Sequence, residues 1–86
     1  MDGIRQGRCE FADYEGKKRR VVWTVKLDWD IRTDKKMRIK NTDIVMLRII
    51  IDDKPCAWFE EGKWKKRPPL FGADKNVYRM VLALYS

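Results

Sequence analysis

The chain has 86 residues, 44% of them hydrophobic, with 20 lysines and arginines against 13 aspartates and glutamates, no histidine and a net charge of +7. That length allows one small domain. The lack of imidazole removes histidine-based acid–base catalysis, Ser-His-Asp and Cys-His nucleophiles and His-ligated zinc, and two cysteines, Cys9 and Cys56, are too few for an all-thiolate zinc site or a disulfide framework.

In chain order, residues 7–14 alternate Cys9, Phe11 and Asp13 against Arg8, Glu10 and Ala12 and predict an edge strand. A turn containing Gly16 follows. The clearest strand spans residues 20–31: Trp23, Val25, Leu27, Trp29 and Ile31 occupy every second place, opposite Thr24, Lys26, Asp28 and Asp30. A short strand is expected at 36–40. The stretch 43–51 places Val45, Leu47, Ile49 and Ile51 on one face, and its run of isoleucines favours strand over helix. Asp52-Asp53-Lys54-Pro55 predicts a turn, with residues 56–60 returning as a hairpin strand. Two registers are open. A two- or four-residue turn buries Trp58, and a three-residue turn buries Phe59 instead; we expect buried Trp58.

Asp74 is a good N-cap, and the spacing from Val77 to Tyr85 predicts a closing helix. Its apolar residues span roughly 200°, more than one sheet face needs. The surplus suggests either packing under residues 68–71 or a homodimer through Tyr78, Leu82 and Tyr85. The expected fold is therefore α+β: a twisted antiparallel sheet of four or five strands with one C-terminal helix packed on a face. Trp23, Val25, Leu27, Trp29, Val45, Leu47, Ile49 and Ile51 should meet Val77, Val81 and Leu84 in one core.

The carboxylates Asp28, Asp30 and Asp34 mimic the start of a calcium loop. The sixth place is Thr33 and not glycine, and the twelfth is Ile39 and not glutamate, so that geometry fails. Cys9 and Cys56 sit in predicted strands and are expected to pack rather than react. Five glycines form neither a Gly-x-Gly-x-x-Gly motif nor a phosphate loop. No catalytic centre, metal or cofactor is expected.

Basic clusters remain. Lys17, Lys18, Arg19 and Arg20 occupy a turn and the start of a strand. Lys36, Arg38 and Lys40 lie in the short strand. Lys63, Lys65, Lys66 and Arg67 surround Trp64. Residues 35–67 carry 10 bases and 5 acids, against 8 and 7 in residues 1–34, so the middle of the chain holds most of the excess. Cations neutralise phosphates and aromatic rings stack on unpaired bases, so these clusters point to single-stranded nucleic acid, with Trp64 as the exposed stacking residue. The competing reading is a protein-interaction module whose basic face docks on an acidic protein surface. Lysine-rich turns also keep small β domains soluble and guard sheet edges.

No apolar run approaches the ~20 residues that cross a bilayer, and the first ten residues have no apolar signal region. A cytoplasmic protein away from membranes is expected. From Leu47 onward the chain resembles a family of short uncharacterised bacterial and phage-associated domains. The shared features read here as Ile51-Asp52-Asp53-Lys54, then Phe59-Glu60-Glu61-Gly62-Lys63-Trp64, then a helix from Asn76 to Tyr85. The basic run after Trp64 departs from that pattern, where an acidic residue is expected. The family has no established activity, so the resemblance implies fold and habitat alone. Strands followed by one helix are also the layout of single-stranded-DNA-binding coactivators that dimerise through that helix, an analogy of fold.

Overall fold

A computed structural model describes residues 3–27, 37–39 and 42–85. Strands β1 (Ile4–Ala12), β2 (Lys18–Leu27), β3 (Met37–Ile39), β4 (Thr42–Ile51), β5 (Lys54–Glu60) and β6 (Lys63–Lys66) are followed by helix α1 (Gly72–Leu84). Every strand pairing is antiparallel, in the order β1-β2-β4-β5-β6, and the three-residue β3 pairs with the first residues of β4. The fold is thus the α+β arrangement expected, an open sheet with one helix on a face. β6 is an addition that its four residues left unread.

Alternation sorts the side chains. Val21, Trp23 and Val25 of β2 and Leu47, Ile49 and Ile51 of β4 are buried on one face, beneath Val77 and Val81 of α1. Trp23 fits because its partner across β1 is Gly7: a Cβ there would collide with the indole, meeting Nε1 at 2.9 Å and ring carbons closer still. The indole Nε1 then donates to the Tyr85 hydroxyl at 2.8 Å, tying the centre of the sheet to the end of the helix.

Two irregularities shift residues between faces. Between β2 and β4 the register slips past Val45, so Ile44 takes the core position expected of Val45. Between β4 and β5 the slip falls after Pro55, which has no N–H to donate to a ladder. Cys56 is the extra residue there, and both Cys56 and Ala57 are buried. The turn before it has two residues, Asp52 and Asp53, both left-handed at φ 50° and 65°. The bulge reverses the parity that such a turn would otherwise impose. Phe59 is buried opposite Leu47, and Trp58 lies on the other face opposite Arg48. The expected burial of Trp58 is corrected accordingly.

The helix also differs from expectation. It starts at Gly72 with Phe71 as N-cap, so Asp74 sits in the first turn instead of capping. There its charge still opposes the exposed N–H groups of the helix start. Tyr78, Leu82 and Tyr85 pack against the core rather than presenting a free dimer surface. Leu84, expected in the core, is 56% exposed, and Met80 is exposed as well. Trp29 and Ile31 lie outside the described residues. No helix among the described residues is long and apolar enough to cross a membrane.

Candidate nucleic-acid interface

The helix covers one face of the sheet and leaves the other open. Ladder pairs define the rungs of the open face: Gln6, Thr24, Arg48 and Trp58 lie side by side, and so do Arg8, Val22, Ile50 and Pro55. Since neighbouring strands sit about 4.8 Å apart, a rung of four strands spans about 14 Å. By alternation Lys18, Arg20 and Lys26 of β2 share this face, and Lys63 lies opposite Glu60 at its far side. Arg8, Lys18, Arg20, Lys26, Arg48, Lys63 and Lys65 are all exposed. Glu10 and Glu60 are the carboxylates among them. Between the charges lie apolar groups, with Val22 48% exposed and Met46 and Ile50 half-buried.

Trp58 organises the β5 side of this face. The Arg48 guanidinium lies 4.8 Å from the indole centroid and the Lys65 ammonium 5.3 Å from it. Lys65 reaches the ring because β6 carries an extra residue opposite Trp58. Glu60 accepts from Trp58 Nε1 at 3.1 Å and lies 3.6 Å from Arg48. The result is a half-buried aromatic ring with two cations over it, each attracted by the ring quadrupole and one restrained further by a carboxylate.

The sequence-predicted residues divide among three places. Lys18, Arg20, Lys63 and Lys65 belong to the open face. Lys17, Lys66 and Arg67 line a cleft at one end of the sheet. Arg19 turns to the covered side, where its Nε donates to Asp52 at 2.7 Å and its Nη1 lies 3.4 Å from Asp74. It also stands over the Phe11 ring at 5.8 Å, so it is consumed within the fold. The hydrogen bond from Asp52 raises the Arg19 pKa further, while the Arg20 backbone N–H, ahead of Arg19 itself, lowers that of Asp52. Lys36 and Lys40, like Asp28, Asp30 and Asp34, lie outside the described residues, and Arg38 pairs in register with Asp43.

Trp64 is not the exposed stacking residue expected. It is half-buried, edge-on to Phe59 at 5.1 Å and tilted against Tyr78 at 6.4 Å. Its neighbours Lys63 and Lys65 are exposed because alternate places of β6 face water. Flanking lysines therefore marked the strand's outer side and said nothing about the side Trp64 occupies. Sequence reasoning missed Arg8, Lys26, Arg48 and Trp58. The available signal was the polar half of each alternation, where Lys26 stands between buried residues of β2 and Arg48 between those of β4. Cys56 lies at the edge of the core, and burial pushes its thiol up to about 11.

No protein-family model, curated protein or solved structure matches the chain.

Proposed function

We propose that the protein is a non-catalytic module that binds single-stranded nucleic acid across the open face of its sheet. One observation carries this reading: seven exposed cations on that face surround Trp58 and a strip of apolar side chains, with two carboxylates among them. A single strand laid on a sheet presents phosphates to cations and unpaired bases to flat groups. A duplex hides its bases and meets only the cations. Because Arg48 and Lys65 lie over the indole, a base meets the Arg48 guanidinium plane, and Trp58 holds that plane in place. The high thiol pKa of Cys56 agrees with a packing role.

The test is a titration of labelled mixed-sequence oligonucleotides, single- and double-stranded, at two salt concentrations. Single strands should bind more tightly, and affinity should fall with salt. Arg48→Ala should make the salt slope shallower by roughly 0.7, the share of one neutralised phosphate on a single strand. Trp58→Phe should retain binding and Trp58→Ala should weaken it. Absence of binding at ~50 mM salt, where counterion release strongly favours association, sinks the reading. A partner protein that survives nuclease treatment would then favour docking on an acidic protein surface.

A further inference from the structure

We propose that the bound strand continues around the end of the sheet into a second subsite. There Tyr14 and Phe71 stack on unpaired bases, while Lys17, Lys54, Lys66 and Arg67 neutralise the intervening phosphates. The proposal rests on the nucleic-acid reading above and extends its footprint.

Tyr14 and Phe71 are 80% and 82% exposed, the former in the β1–β2 turn and the latter just before α1. Both rings line one cleft of about 1120 Å³. That volume exceeds the roughly 300–1,000 Å³ of small-molecule pockets and suits a chain of groups. The walls are fixed. Asn76 Nδ2 donates to the Tyr14 hydroxyl at 3.2 Å, tying the turn to the helix, and Arg19 joins the β4–β5 turn to the helix through Asp52 and Asp74.

Charge points to a polyanion. Asp52 and Asp74 are held by Arg19, and Asp13 accepts from the backbone N–H groups of Glu15 and Lys17 within its own turn. Glu15 is the carboxylate left facing the four cations. The cleft is also continuous with the first site, since Pro55 completes the rung of Val22 and Ile50 and lines the cleft as well. Aromatic rings set between cations are the arrangement that holds single strands without sequence preference.

The experiment compares oligothymidylates of about four and about 16 nucleotides, the limits of site size for a small single-strand-binding fold. In the Tyr14→Ala/Phe71→Ala double variant, the long oligonucleotide should bind at least about 5-fold more weakly, the lower limit for losing one stacked base. The short one should bind as before. Backbone amide shifts of Tyr14 and Phe71 in the unaltered protein give a second readout: the long oligonucleotide should move them and the short one should not. Equal affinity of the double variant for the long strand, or shifts reproduced in full by polyglutamate (which carries charge and no bases), would overturn the second subsite while leaving the first. Failure of both lengths to bind the unaltered protein overturns both.

Discussion

Trp23 and Tyr85 are joined through a 2.8 Å hydrogen bond from indole to hydroxyl, 62 residues apart in the chain. The indole sits in the core, where an N–H without a partner costs about 1–3 kcal/mol. Tyr85→Phe keeps the ring and deletes the acceptor. It should lower stability by about that amount, read as a fall in the urea midpoint at unchanged m-value.

Gly7 is required by the same indole. Gly7→Ala places a methyl where the Trp23 ring lies, so the indole must move and its bond to Tyr85 must stretch. The expected cost is about 1–3 kcal/mol. Near-ultraviolet circular dichroism should show the displaced tryptophan, and an unchanged spectrum with unchanged stability would refute the packing described.

The Asp52–Asp53 turn holds two non-glycine residues at positive φ. Asp53→Gly creates the Asp-Gly pair that such two-residue hairpins favour. It should stabilise the fold by roughly 0.5–1 kcal/mol, since the left-handed strain relieved exceeds the entropy added to the unfolded chain. Thermal melts would measure it. The second two-residue turn already pairs Glu61 with Gly62 at positive φ, so Gly62→Ala should act in the opposite direction.

Asp52 makes the fold sensitive to acid. The Arg20 N–H at 3.0 Å and the Arg19 side chain at 2.7 Å hold its carboxyl below the ordinary aspartate value. A carboxylate whose folded pKa is depressed stabilises fully above its unfolded value, near 3.9, and loses that contribution as pH falls through the folded value. Urea midpoints should therefore drop below about pH 4. In Asp52→Asn the acid limb should be flatter and the neutral-pH midpoint lower.

Period-two patterning identified β2 and β4, because each strand has one face under the helix and the other in water. It identified the helix for the corresponding reason at period 3.6. What it could not carry was parity across irregularities. Val45 and Ile44 exchange places through a bulge between Lys26 and Leu27 in the β2–β4 register, and Trp58 and Phe59 through another beside Pro55. No local residue type fixes where an extra residue is absorbed; the partner strand does. The functional reading inherited that error. Trp64 stands between lysines in the chain yet packs on Phe59, whereas Trp58, without a basic neighbour in sequence, meets Arg48 and Lys65 in space. Charge composition showed that cations were in excess, and only strand pairing showed which of them share a surface.

The bulge at Cys56 makes this protein respond differently to substitutions and to changes in length. Replacing a side chain in β5 alters one site by degrees. Removing one residue there restores strict alternation and exchanges the two sides of everything that follows in the strand, turning Phe59 outward and Trp58 under the helix. The core would then be without the ring that stacks edge-on with Trp64, and Arg48 and Lys65 would be parted from their shared indole in the same event. A second deletion or insertion within β5 would undo both effects together. Single-residue length variants of β5 should consequently fall into two discrete groups, and a compensated pair should recover folding and surface chemistry at once.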